Sequence, residues 1–379
     1  MKVAAIICEF NPFHNGHKYL IEKVKYEHAD CVVAIMSGNF VQRGDIAITD
    51  KYKRAEMALL GGCDLVVELP TIYALSSAEN FAQGGVQIAN ALGADLLCFG
   101  AEDDNLELLT KIADISQSKE FSQYLKHYIA DGQTYAKAYE IAVSALCGEE
   151  YAHIISKPNN TLAIEYIRAL KNTNISPVAI KRKGTNHDSD IVTDNIASAT
   201  HIRNLIKSNE QYTDFTENTI ENPADTSKLE TTILYKLRTM NKEEISNLPD
   251  VTEGLENRIF ECARNSNSLE ELYNNLKTKR YTLARLRRII MCALLNITKD
   301  DVKSNAPYLR ILAMNSKGTE IIRKSKLPII GKVRKDYDKL SKKAKNIFDI
   351  DVRASEIYSL TLSKPEDFKN DFTKKIIIK

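Results

Sequence analysis

The chain has 379 residues, of which 44% are apolar and 27% charged, and its formal net charge is +2. That length suggests two or three domains, and this balance of apolar and charged residues excludes a disordered chain. No run approaches the roughly 18–20 apolar residues that span a bilayer, and the opening MKVAAIICEF has no small-residue cleavage site, so neither a membrane protein nor a secretory signal is expected. The seven cysteines form no CxxC pair, which points to reduced thiols in a cytoplasmic protein rather than a zinc site or a disulfide framework.

Short apolar runs at 3–8, 31–36, 65–69, 96–99 and 177–180 predict strands. Amphipathic stretches at about 17–27, 50–60, 78–92, 106–115 and 118–145 predict the helices between them. Alternation of this kind predicts an α/β fold with a mostly parallel sheet, and continuous apolar runs fit strands buried on both faces. Residues 209–228 are polar and aperiodic and read as an irregular connection. Helices are then expected at 229–240, 255–265, 268–275 and 282–295, and no element is assigned from 309 onward. His187-Asp188 is an adjacent acid–base pair in a polar loop and is assigned no role.

Charge is uneven along this frame. Residues 277–345 carry a net +15, leaving −13 for the rest of the chain. Such asymmetry suggests that the C-terminal part faces a polyanion; a solvated basic surface balancing the acidic part is the equal alternative. Lys277, Lys279, Arg280, Arg285, Arg287 and Arg288 crowd one short segment around Tyr281. Its phosphate-binding potential suits RNA, on which a tyrosine can stack an unpaired base. A helix with a buried Leu/Ile face and solvated arginines is the alternative, and the two are compatible.

The strongest local signal follows the first strand: Glu9-Phe10-Asn11-Pro12-Phe13-His14-Asn15-Gly16-His17. A strand, a Pro-containing turn and a helix start put free backbone N–H groups and a positive dipole end where a phosphate binds. Gly16 lets a ligand approach the backbone. His14 and His17, three apart, reach the same side and can stabilise the charge of a pentacoordinate phosphorus. An ordinary strand–turn–helix corner with two surface histidines is the competing reading.

This segment resembles the GxFxPxHxGH signature of the nucleotidyltransferase superfamily, with Cys8-Glu9 in place of the usual Gly-Thr. Ala197-Ser198-Ala199-Thr200-His201-Ile202-Arg203 resembles its second signature, ISSTxIR. The blocks Ser37-Gly38-Asn39-Phe40-Val41-Gln42-Arg43-Gly44, Glu68-Leu69-Pro70, Pro158-Asn159-Asn160 and Lys277-Thr278-Lys279-Arg280-Tyr281-Thr282 are similar to those of the bacterial tRNA(Met) cytidine acetate ligase family, along nearly the whole chain.

The resemblance implies a Rossmann-like catalytic domain over 1–205, a linker over 206–228 and a basic, mainly helical tRNA-binding domain over 229–379. It implies an enzyme that joins ATP and acetate into acetyl-adenylate and acetylates N4 of the wobble cytidine in the anticodon loop of elongator tRNA(Met). It places His14 and His17 as catalytic. ATP contacts are implied along Ile7, Cys8, Glu9, Phe10, Asn11, Pro12, Phe13, His14, Asn15, Gly16, His17, Lys18, Tyr19 and Leu20. Further contacts fall at Gly100, at Asn160 with Asn159 as its rival, and at Arg182, while Ser198, Thr200 and Arg203 close on the β- and γ-phosphates. From the residues alone, Gly100 also fits a strand-ending turn, Asn160 a helix cap and Ser198 an N-cap. Arg43 is a candidate tRNA or phosphate contact beside the same sheet edge, with an ordinary surface arginine as the alternative. Mg²⁺ is compatible as a phosphate counter-charge, though no carboxylate pair identifies a site. The sequence carries no signal for oligomeric state. A small-molecule adenylyltransferase and a non-catalytic RNA-binding module are the rival functions.

Overall fold

The structure is a computed structural model describing residues 1–183, 195–252, 254–365 and 370–379. His187 and Asp188 lie outside them. Its strands are β1 (Val3–Cys8), β2 (Cys31–Ser37), β3 (Phe40–Val41), β4 (Asp45–Ile46), β5 (Leu65–Leu69), β6 (Leu96–Ala101), β7 (Ser176–Lys181), β8 (Leu309–Met314), β9 (Ile329–Ile330) and β10 (Ile377–Ile378). One sheet runs in the order β10-β8-β5-β2-β1-β6-β7, with β9 beside β8, and β3 and β4 form a separate small hairpin. All five expected strands are present and mutually parallel.

Both faces of this sheet are covered, as continuous apolar runs require. Along β1, Val3, Ala5 and Ile7 belong to one hydrophobic cluster, and Ala4 and Ile6 to another on the opposite side. The register of β1 with β2 extends over six pairs, from Val3–Cys31 to Cys8–Met36. With β6 it consists of Ala4–Leu96 and Ala5–Leu97. The strand order reverses between β1 and β6, so the carboxyl edge opens there, the place where such sheets bind ligands.

Two features depart from the sequence reading. Residues 118–145 form two helices, Lys119–Ala130 and Tyr135–Cys147, because Gly132 takes φ +85° between them and Thr134 caps the second. Leu309–Met314, given no element above, is a strand that pairs antiparallel with β5, from Leu65–Met314 to Glu68–Arg310. Residues on both sides of the 206–228 connection thus build one sheet. The helices Glu230–Thr239, Leu255–Asn265, Leu269–Leu276 and Leu283–Leu294 fall where periodicity placed them. Among the described residues no helix is long and apolar enough to cross a membrane.

Candidate active site

The chain leaves β1 through Glu9 into Phe10, whose φ of +48° turns it sharply before the helix Asn15–Glu27. His14 is the N-cap of that helix, and its Nδ1 accepts from the Gly16 N–H at 3.1 Å. His17 reaches back, its Nδ1 accepting from the His14 N–H at 3.3 Å. Two imidazoles thus form the reciprocal capping box that Ser or Thr with Glu usually makes. Their rings lie 3.7 Å apart between centroids, at 30°. Phe10 packs on His17 at 4.8 Å and Phe13 at 5.8 Å. Because each Nδ1 accepts, the neutral form of each ring carries its proton on Nε2, a donor suited to phosphate oxygen. A Cβ at Gly16 would sit 2.9 Å from the His14 Cε1, so glycine there makes room for the ring.

Within the rest of this stretch, Ile7 is core and Cys8 donates weakly to the Ile35 carbonyl, with burial pushing its thiol up. Asn11 accepts from the Ile48 N–H through Oδ1 at 2.7 Å. Pro12 and Leu20 complete the turn and the first helical turns, Lys18 pairs with Glu217 at 2.6 Å, and the Lys183 ammonium lies 4.5 Å from the Tyr19 ring centroid.

Across the opening, Gly100 sits near the end of β6, and a Cβ there would meet the Arg182 Cγ at 3.3 Å. The Arg182 N–H donates to the Ala101 carbonyl at 3.1 Å. Burial pushes its guanidinium down against the pull of Glu102, which leaves it charged at neutral pH. Asn160 is fully buried, and its Oδ1 accepts from the Glu102 and Asp103 N–H groups, both at 3.0 Å. Its Nδ2 donates to the Ile154 carbonyl at 3.0 Å, so this side chain shapes the loop that follows Gly100. Asn159 is engaged with the Glu102 carboxylate.

The second signature closes on the first. Ser198 caps the helix Ala199–Lys207, accepting from the His201 N–H at 3.1 Å. Arg203 donates to the Asn11 carbonyl at 2.7 Å and to the Thr200 hydroxyl at 2.9 Å. The irregular connection wraps the same turn. Asn15 N–H donates to the Phe215 carbonyl at 2.9 Å, and Thr216 donates to the Phe13 carbonyl at 2.8 Å. Polarity marked this segment as irregular but gave no sign of its docking.

Two buried side chains that motif reasoning missed hold the neighbouring loop. Arg54 is fully buried and donates to the carbonyls of Thr49 at 3.0 Å, Glu9 at 2.6 Å, Ser37 at 3.1 Å and Gly38. Lys51, 1% exposed, bonds both oxygens of Glu68 at 2.9 Å and Asp371 at 2.7 Å. Burial alone would lower the Lys51 ammonium, but Asp371 and Glu68 hold it well above its usual range. Glu68 thus anchors a buried cation, and a Cβ at Gly38 would lie 2.5 Å from its Oε1.

The β3–β4 hairpin projects from this loop and meets the basic helix. Gly44 has φ +71°, and a Cβ there would fall 2.4 Å from the Arg288 nitrogen. Arg43 at the hairpin tip is exposed, as are Lys277, Lys279 and Arg280. Arg285 and Arg288 are partly committed to structure: Arg285 donates to the Asp250 carbonyl at 2.7 Å, and Arg288 pairs with the Asp250 carboxylate at 3.2 Å. Arg287 lies 5.7 Å from the Tyr273 ring centroid. Tyr281, expected to be available for stacking, is buried under Arg285, 5.1 Å from its ring centroid.

The family model of the HIGH Nucleotidyl Transferases matches residues 1–372. The chain is 40% identical to the tRNA(Met) cytidine acetate ligase of Thermoanaerobacter sp. (strain X514), covering all of both proteins. The chain belongs to this HIGH nucleotidyl transferase family. A relative from Alkaliphilus metalliredigens with the same name is 39% identical over 96% of the chain and 95% of its own length. Among solved structures, apo Thermotoga maritima TmcAL superposes on this nucleotidyl transferase with a TM-score of 0.91 at 31% identity, covering 100% of this chain and 99% of that one. Its form bound with alpha-thio ATP gives 0.89 with the same identity and coverage.

Proposed function

We propose that this chain is a tRNA(Met) cytidine acetate ligase. The observation that carries the reading is the stacked His14–His17 pair at a helix N-terminus on the carboxyl edge of β1, in a chain 40% identical throughout to proteins of that name. ATP lies along residues 7–20, against Gly100 and the loop that Asn160 shapes, with Arg182 and the Ser198–Arg203 signature at its phosphates. An acetate oxygen attacks the α-phosphorus, the bond to the β-phosphate breaks, and pyrophosphate leaves with acetyl-adenylate formed. The helix dipole and the two Nε2–H donors stabilise the charge that grows on the phosphorus oxygens. The acetyl group then passes to N4 of the wobble cytidine in the anticodon loop of elongator tRNA(Met), and AMP leaves. Lys277, Lys279, Arg280 and Arg43 offer exposed positive charge to the RNA backbone. The cytoplasm is where such a substrate is met.

Among the described residues no group of three or more His, Cys, Asp or Glu side chains converges on a metal position. Where Mg²⁺ takes part it is carried by the triphosphate.

Pyrophosphate release from ATP and acetate, measured with and without elongator tRNA(Met) and beside labelled acetate incorporation, tests the reading. Acetate-dependent release with label on the wobble cytidine, both lost in His17→Ala, is expected. Release without label on RNA would favour a small-molecule adenylyltransferase, and no release under any condition would remove the assignment.

A further inference from the structure

Forming an amide at N4 of cytidine requires the loss of a proton from an exocyclic amine whose lone pair is delocalised into the ring. None of the groups placed above at the phosphates is a base for that proton. Glu9 stands in the same turn, between β1 and Phe10, and it is half-buried. Its Oε1 accepts from the Gln42 N–H in the loop after β2 at 2.8 Å, and its charge also reaches Tyr166, which packs on Phe99 of β6. Its backbone carbonyl is fixed by the Arg54 guanidinium at 2.6 Å. Among the described residues Oε2 has no hydrogen-bond partner.

The flank that Glu9 faces is also the flank nearest the basic helix. Gln42 precedes the exposed Arg43, and Gly44 packs its backbone onto Arg287 and Arg288. An RNA arriving over the hairpin would reach the turn on the side where the Gln42 N–H holds the Glu9 carboxylate. A carboxylate among phosphates is repelled by them, whereas beside an amine that is losing a proton it is stabilising.

We propose that Glu9 is a catalytic residue of the transfer step, the base that takes the N4 proton. This rests on the reading given under Proposed function. The N4 lone pair forms a bond to the acetyl carbonyl carbon, the bond from that carbon to the AMP phosphate oxygen breaks, AMP leaves with the electron pair, and the N4 proton moves to Glu9 Oε2. The Gln42 N–H on Oε1 holds the other oxygen toward the acceptor.

The test supplies synthetic acetyl-adenylate with elongator tRNA(Met) in single turnovers, bypassing its formation. Transfer by the wild-type protein should fall as pH drops, about tenfold per pH unit below the titration of one carboxylate. In Glu9→Gln, whose amide oxygen still accepts from Gln42, transfer should fall by about 100-fold or more and lose that acid limb. Glu9→Asp should keep the limb at a reduced rate. Transfer by Glu9→Gln within about threefold of wild type, or a wild-type profile with no acid limb, overturns the proposal, and the second holds even where the glutamine variant fails to fold. A wild-type protein that transfers nothing from acetyl-adenylate refutes the ligase reading instead.

Discussion

Replacing Lys51 by methionine probes how the loop after β2 is held. The ammonium bonds Glu68 twice at 2.9 Å and Asp371 once at 2.7 Å, and all three groups are 2% exposed or less. Methionine fills much the same volume and leaves both carboxylates without that cation, with Arg310 3.6 Å from Asp371. Removing one partner of a buried ion pair costs about 3–5 kcal/mol, mostly the penalty of the charge left behind. The pH dependence is the sharper signature. Burial already pushes the Glu68 carboxyl up to about 7 against the pull of Lys51, and losing Lys51 raises it further. For Asp371, burial acts upward but Lys51 and Arg310 outweigh it and hold the carboxyl low, so the substitution raises that group too. A carboxyl whose folded value lies above its unfolded one contributes stability at low pH and loses it as pH rises through the folded value. The deficit of Lys51→Met should therefore be fullest on the alkaline side of the raised Glu68 value, above about 7, and shrink on acidification as first Glu68 and then Asp371 take up protons. Urea unfolding of both proteins on either side of that value measures it. A deficit below about 1 kcal/mol, or one that widens on acidification, would refute the assignment of a buried charge pair.

Gly16→Ala puts a methyl 2.9 Å from the His14 Cε1; pyrophosphate release should drop at least about tenfold, some 1.4 kcal/mol of transition-state stabilisation, while the unfolding midpoint stays near that of wild type. Arg54→Met strips the donor from four carbonyls and should cost about 2–4 kcal/mol in urea unfolding, and Arg54→Lys should not restore it, since a point ammonium cannot span that set. Replacing Lys277, Lys279 and Arg280 together by alanine should reduce the salt dependence of tRNA binding, lowering the slope by about 0.7 for each phosphate no longer neutralised. Arg285→Ala, which frees the Asp250 carbonyl, should instead lower stability by about 1–3 kcal/mol, and a titration of binding against salt separates the two classes.

The parallel core of the sheet was legible because strands buried on both faces write apolar runs, as β1, β2 and β6 do and β5 does but for Glu68, while the edge strand β7 shows only a short run around Ile180. The His14–His17 turn carries a local pattern for a related reason. A phosphate site at a helix start needs particular residues at particular spacings. His14 caps the helix, Gly16 leaves room for the His14 ring, and His17 reaches back to the cap, so each position has a separate task. β8 escaped notice although its six residues are as buried as those of β5 but for Met314. It follows about 80 residues of helix and basic loop, and nothing local states that a strand so late returns to the first sheet antiparallel to β5.

What the sequence hides more thoroughly is who answers a charge. Arg285 and Arg287 look alike in the row of letters, yet one is committed to the Asp250 carbonyl and the other lies over a tyrosine ring. Arg54 reads as one more charged residue on an amphipathic helix, because its partners are backbone carbonyls, which every residue possesses and no pattern displays. The same blindness covers residues 209–228, whose polar side chains signalled a connection while the bonds that matter run from backbone to backbone, Asn15 to Phe215, and from Thr216 to the Phe13 carbonyl. These hidden bonds converge on one short turn: Arg54 holds its first carbonyl at Glu9, Arg203 holds the carbonyl of Asn11, and Thr216 holds that of Phe13. Alternate carbonyls of the turn are thus fixed by three elements far apart in the chain. A turn bearing two stacked imidazoles and a left-handed Phe10 offsets its conformational cost through donors supplied from outside it, and this is why the motif is recognisable locally while its rigidity is a property of the whole fold.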